Sequence, residues 1–170
     1  MPETMGLAQW IVLAVTLQRL LELILARRNT ARLLAAGGSE VGAAHYPVIV
    51  VLHAAWLVVN FVFLPPDAAA NWPLLIAFAV LQAGRVWVIM SLGEFWTTRI
   101  ITMPDQPLSA RGPYRLMRHP NYTIVVGEIA CLPLIFGAWH IAIPFSIANL
   151  LILAWRIHVE DRVLAPRRGA

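Results

Sequence analysis

Three runs of apolar residues, at about 7–26, 46–64 and 73–92, set the pattern of this chain. Each approaches the roughly 20 helical residues needed to cross a hydrocarbon core of about 30 Å. In lipid the backbone has only itself to bond to, so each run predicts a helix rather than an open strand. A fourth apolar stretch, residues 122–157, would be about 54 Å long as one helix, so it must fold back. Gly137-Ala138-Trp139-His140 is the expected turn, giving short helices at about 122–137 and 141–157 that contain Pro133 and Pro144. The expected fold class is all-α: one polytopic membrane domain over residues 1–170, with five spans of which the last two form a short helical hairpin.

Polar positions interrupt this pattern most densely between the third run and the fourth. Three arginines, a histidine and two tyrosines are packed into residues 111–122. Gly112-Pro113 is a turn signal, and Pro113 can open a short helix because its missing N–H is not needed there. Pro120 biases His119 away from helical angles, so that short helix should break and a new one start. His119 and Tyr122 are then displayed at a joint where backbone groups are free for a ligand.

Composition agrees with the pattern. The chain is 59% hydrophobic and 13% charged, against about 25% charged in soluble domains. Its net charge of +4 does not suggest nucleic acid, because all 13 basic residues are arginines that flank apolar runs instead of forming a stripe with interleaved aromatics. They read as topology signals. Arg27, Arg28 and Arg32 follow the first run; Arg99, Arg111, Arg115 and Arg118 follow the third; Arg162, Arg167 and Arg168 follow the fifth span. The opposite connections, 65–72 and 137–140, contain none. The expected orientation therefore has the N-terminus outside and the C-terminus in the cytoplasm. The first run is too long for a signal core and ends in Arg27-Arg28, so it should stay as an anchor. Cys131, a single cysteine without neighbours at zinc spacing, implies neither disulfide nor metal and is expected in the core.

Ionisable residues inside spans are costly and point to function by default. Arg19 and Glu22, three apart, should pair on one face of the first helix. Arg85 and Glu128, in the third and fourth spans, should either pair across the bundle or line a cavity. His45 and His53 are eight apart on one expected helical face with no further ligands in register, which favours packing over metal. Trp10, Trp56, Trp72 and Trp139 read as interface anchors. Arg156 and Glu160, at i and i+4 where the last span leaves the bilayer, share a face with Asp161 beside it. An interfacial ion pair is one reading, though basic before acidic is the weaker order for a helical pair; the expected topology, which puts this segment on the same side as residues 112–122, favours a functional one.

Gly112-Pro113-Tyr114-Arg115, Arg118-His119-Pro120-Asn121-Tyr122 and a later Arg156-x-x-x-Glu160-Asp161-x-x-Leu164 resemble the isoprenylcysteine carboxyl methyltransferase family of membrane enzymes. In the N-terminal half, Glu22, Arg27-Arg28-Asn29, Glu40-Val41-Gly42 and His45-Tyr46-Pro47 resemble its short bacterial branch. Some members of that branch accompany type III polyketide synthases and methylate alkylpyrones. The resemblance implies two S-adenosylmethionine-binding segments, at about 104–122 and 156–164. Tyr114, His119, Pro120, Asn121, Tyr122 and Glu160 would contact that cofactor, joined by Gln106-Pro107-Leu108-Ser109 on spacing. Arg156 would meet the substrate, and Arg156 with Glu160 would carry the reaction.

The implied activity is methyl transfer to a carboxylate or acidic enol of a lipophilic or prenylcysteine-like substrate, at the cytoplasmic face of a bacterial inner membrane. Such an acceptor is already anionic, so no general base is needed. A cytoplasmic methyl donor and a membrane-borne acceptor are the expected partners, with no metal and no nucleic acid. Phospholipid N-methylation, an NADPH-dependent membrane reductase and a non-enzymatic membrane scaffold remain as alternatives at this stage.

Overall fold

The computed structural model describes residues 5–103 and 111–168, the last six as backbone only. Five helices alternate in direction: α1 (Leu7–Ala35), α2 (Tyr46–Phe63), α3 (Trp72–Leu92), α4 (Pro120–Ile135) and α5 (Trp139–Arg168). Four of them are long and apolar enough to cross a membrane, and α4 is a shorter apolar helix. Large apolar side chains on the outer faces, among them Leu17, Val51, Val80, Met90 and Leu151, are more than half exposed. So wide an apolar surface belongs against lipid.

Several expectations change in detail. The class is not purely α, because β1 (Ser39–Val41) and β2 (Ile100–Thr102) form a small antiparallel ribbon at the arginine-rich end, with Glu40 opposite Ile101. Strands of three residues leave no readable alternation. Helix α1 runs nine residues past the expected 26, so Arg27, Arg28 and Arg32 ride on its last turns. The final hairpin turns at Gly137, whose φ of 69° favours glycine. Only its first arm is short: α5 runs 30 residues, through Pro144 and past the expected end at 157. Pro144 is the sixth residue of that helix, so it removes the single bond to the His140 carbonyl and the helix runs on past it.

Helices α3 and α4 approach closely. A Cβ on Gly127 would lie 2.9 Å from Leu81 Cδ1, and one on Gly84 would lie 3.3 Å from Ile124 Cδ1. This is the small-residue packing typical of helices in lipid. In that register Pro120 lies level with Val88, so α4 starts about 6 Å short of the end of α3. The segment 112–119 folds back over the step. Gly112 sits there at φ 54°, an angle that other residues rarely adopt, with the Ser91 side chain against the place its Cβ would take.

The main core lies toward the opposite end, around Trp56, Leu64, Ile129, Leu132 and Ile135. Trp56 is not an interface anchor: it is buried, and its indole N–H donates to the Ile129 carbonyl at 3.2 Å. Trp10, Trp72 and Trp139 are exposed, as anchors would be. Cys131 is buried with its thiol against the Leu74 carbonyl, as expected of a packing residue. At the arginine-rich end, Asn29 donates to the carbonyls of Gly93 and Trp96 at 3.0 and 2.9 Å. It thereby ties α1 to the chain reversal after α3.

Candidate active site

The joint forms much as the prolines dictate. Gly112–Arg115 is a single 3-10 turn with Pro113 near its start, and α4 begins at Pro120. His119 is the N-cap residue at φ −129°, and its carbonyl accepts from the N–H groups of Tyr122 and Thr123. Tyr114 packs on a small cluster of Ala26, Val88 and Trp96. Burial there pushes its phenol up to about 12, so it stays protonated at neutral pH and can donate a hydrogen bond.

Tyr122 connects the joint to α5. Its hydroxyl accepts from Arg156 Nε at 2.7 Å and donates to Glu160 through a short hydrogen bond. Arg156 Nη1 also donates to the Thr98 carbonyl at 2.9 Å. Nη2 has no hydrogen-bond partner among the described residues. Arg156 and Glu160 are therefore not a simple i,i+4 pair, because the phenol stands between them. The His119 ring stacks on Tyr122 with centroids 5.2 Å apart and planes 12° from parallel. Its nitrogens lie 3.9 Å from Glu160 Oε1 and 3.7 Å from Asp161 Oδ1. The side chains of His119, Glu160 and Asp161 are 19%, 20% and 42% exposed, which leaves an open, acidic, aromatic-walled crevice.

On the other side of Tyr122 lies a lipid-facing cavity of about 520 Å³. Arg156, Tyr122, Asn121, Thr98 and Tyr46 line its arginine-rich end. Its far end is apolar, with Val12, Leu57 and Phe61, and exposed Leu13, Leu20, Val50 and Val58 mark a mouth between α1 and α2. A polar wall runs along the third side. There Arg85 grips Glu128 with both Nε (2.9 Å) and Nη2 (2.5 Å), and Arg19 reaches Glu22 at 2.7 Å and Glu128 at 2.8 Å. Arg85 Nη1 lies 3.3 Å from Glu22 and donates at 3.5 Å to Asn121 Oδ1, while Gln82 and Gln18 donate to the two carboxylates.

Sequence reasoning expected the Arg19–Glu22 pair and offered pairing or cavity lining for Arg85 and Glu128. Arg85 does both. That all four residues form one net-neutral lattice joining α1, α3 and α4 was missed. Proximity in sequence signals only the first pair. The residues expected to bind together do converge: Tyr114, His119, Pro120, Asn121 and Tyr122 at the joint, Arg156 and Glu160 beside it. Gln106, Pro107, Leu108 and Ser109 lie outside the described residues. His45 does not share a helical face with His53. It sits in a 3-10 turn ahead of α2, buried, with its ring edge-on to Trp155. Among the described residues no three His, Cys, Asp or Glu side chains stand close enough to hold a metal.

Fold and site define an integral membrane protein of helical hairpins whose arginine-rich end holds a polar crevice backed by a lipid-facing cavity. Residues 74–166 match the isoprenylcysteine carboxyl methyltransferase family. The chain is 36% identical over 160 residues to the uncharacterized protein YpbQ of Bacillus subtilis (strain 168), covering 91% of this chain and 95% of that one. It is 26% identical over 156 residues to an uncharacterized protein of Haemophilus influenzae, covering 86% and 88%. No solved structure matches. The chain belongs to the isoprenylcysteine carboxyl methyltransferase family, so its class of activity is methyl transfer in a membrane.

Proposed function

We propose that this protein is an S-adenosylmethionine-dependent O-methyltransferase that acts on a carboxylate or acidic enol of a lipophilic acceptor. In this reading α4 is a fifth, short crossing, and the arginine-rich end faces the cytoplasm of a bacterial cell from its inner membrane. The observation that carries it is Tyr122, which links Arg156 on the cavity side to Glu160 on the crevice side.

The crevice suits the cofactor chemically. Glu160 and Asp161 are partly exposed carboxylates for ribose hydroxyls or an ammonium group, and His119 with Tyr122 offers stacked aromatic surface. Tyr114, Pro120 and Asn121 complete the set, with Gln106–Ser109 as a further expected contributor. S-adenosylmethionine, when bound, supplies an electrophilic methyl group whose charge disperses on transfer. The chain's part is to orient and to exclude water. Arg156 is anchored by Thr98 and Tyr122 and keeps Nη2 for the acceptor oxygen, a charge-assisted bond that fixes its direction. The acceptor's tail would enter between α1 and α2 and lie in the cavity. A cationic headgroup amine would meet the same arginine with repulsion, which disfavours phospholipid N-methylation.

The test is incubation of detergent-purified protein with labelled S-adenosylmethionine and three acceptor panels: prenylcysteine analogues, long-chain pyrones and resorcinols, and phosphatidylethanolamine. Methylation in either of the first two supports the reading. Methylation of the amine alone, or no saturable binding of S-adenosylhomocysteine, overturns it.

A further inference from the structure

Among the polar groups that line the cavity, His53 is one that neither the proposed chemistry nor the charge lattice uses. His53 lies on the α2 stripe that lines it, with Tyr46, Ile49, Val50, Ala54 and Leu57. Its Nδ1 lies 2.9 Å from the Ile49 carbonyl one turn back. A carbonyl can only accept, so Nδ1 carries the proton and, in the neutral ring, Nε2 keeps its lone pair. Nε2 has no partner among the described residues and is not sealed within the packing. His45 offers the contrast, since both of its ring nitrogens are buried without partners against Trp155, as in a purely packed ring.

The depth of His53 is fixed by Arg156. Thr98 receives Arg156 on its carbonyl and donates its hydroxyl to Tyr46 at 3.3 Å, so Tyr46 marks the level of the guanidinium. His53 is seven residues further along the same helix, about 10 Å deeper. That is too far for it to touch an oxygen held by Arg156, but it is beside the chain attached to that oxygen. An all-hydrocarbon tail would leave Nε2 unmatched, whereas a hydroxyl would satisfy it.

We propose that His53 is a specificity-determining hydrogen-bond acceptor, and that the cavity is built for an amphiphile carrying a hydroxyl or similar donor about 10 Å from its anionic head. This rests on the reading above that Arg156 holds that head. Thr16, whose hydroxyl donates to the Val12 carbonyl at 2.8 Å, lines the same cavity from α1 and has a remaining lone pair for the same donor.

The experiment is competition against a fluorescent fatty acid on detergent-purified protein, using stearic acid and hydroxystearic acids with the hydroxyl near the head, at mid-chain or at the tail end. The mid-chain isomer is expected to bind about 5-fold tighter than stearic acid, the effect of one neutral hydrogen bond, and the other isomers no tighter. His53→Phe should abolish the preference while leaving stearic acid affinity in place. His53→Gln, which keeps an acceptor oxygen, should retain part of it. Arg156→Gln should weaken all the acids together. Absence of a mid-chain preference in the native chain, its survival in His53→Phe, or failure of any acid to bind overturns the inference. Methyl transfer measured on the same preparations separates the two claims. A mid-chain preference without methylation leaves the subsite standing and removes the enzyme, and the reverse result removes the subsite alone.

Discussion

Two clusters of charge meet α4 a few residues apart, one at Glu128 and one at Tyr122, and differ in how far their bonding is used up. In the lattice of Arg19, Glu22, Arg85 and Glu128, every carboxylate oxygen has a partner at 2.5–3.3 Å and the charges cancel. The one gap is Arg19 Nε. At the joint, His119 approaches two carboxylates no closer than 3.7 Å, and Arg156 holds back a nitrogen. A cluster that satisfies itself holds helices together, whereas one with donors and acceptors to spare can receive a ligand. Ionisable residues in a membrane are a functional signal only until their partners are counted.

The sharpest way to break this comparison is to unbalance the lattice. Glu128→Leu leaves two arginines sharing one carboxylate at a site that is almost fully buried. Removing one partner of a buried pair costs about 3–5 kcal/mol, whereas replacing both can be nearly neutral. The melting temperature of Glu128→Leu in detergent should therefore drop far more than that of the double variant Arg85→Met with Glu128→Leu, in which Arg19 and Glu22 remain paired. Equal losses in the single and double variants would mean that the lattice is not a structural clasp.

The joint should behave in the opposite way. Arg156→Lys keeps the charge but loses the planar fork that serves Thr98, Tyr122 and an acceptor together. Turnover is expected to fall by about 100-fold, which corresponds to about 2.7 kcal/mol of transition-state stabilisation. S-adenosylhomocysteine affinity and melting temperature should change little. Tyr122→Phe removes the link between the two chambers and keeps the ring that stacks on His119. It should lower turnover by about 10-fold, or about 1.4 kcal/mol, with a small loss of cofactor affinity as Glu160 is released. Normal turnover in either variant would remove that residue from the proposed site.

Much of the joint was legible because proline and glycine act locally. Pro113 and Pro120 fix φ whatever surrounds them, and Gly112 permits an angle that other residues avoid, so a turn and a helix start could be read from residues 111–122. Arg19–Glu22 was legible for the same reason, its spacing being one helical turn. The rest depended on neighbours distant in sequence. Arg85 meets Glu128 across 43 positions, Trp56 finds a carbonyl on α4 across 73, and the ribbon joins residues 39–41 to 100–102. Pro144 was expected inside a short helix, yet the helix that contains it, α5, runs for 30 residues. The role of His53 could not be read at all, because what distinguishes it from His45 is a cavity formed by the other helices.

A third ion pair tests whether distance or surroundings sets the value of such contacts. Arg99 Nη1 lies 2.8 Å from Glu40 Oε2, as close as Arg19 lies to Glu128, but it clasps the ribbon with side chains 42% and 19% accessible. Arg99 also stands over the Tyr46 ring at 4.8 Å. Water screens the pair and both side chains lose rotamer freedom, so it should contribute at most about 1 kcal/mol, less at high salt. Arg99→Gln is expected to shift the melting temperature only slightly, with the shift fading as salt is added. Turnover should fall modestly, because Tyr46 positions Thr98, and Thr98 in turn anchors Arg156. A salt-independent loss as large as that of Glu128→Leu would show that the ribbon, far from being a surface clasp, is as integral to the fold as the buried lattice.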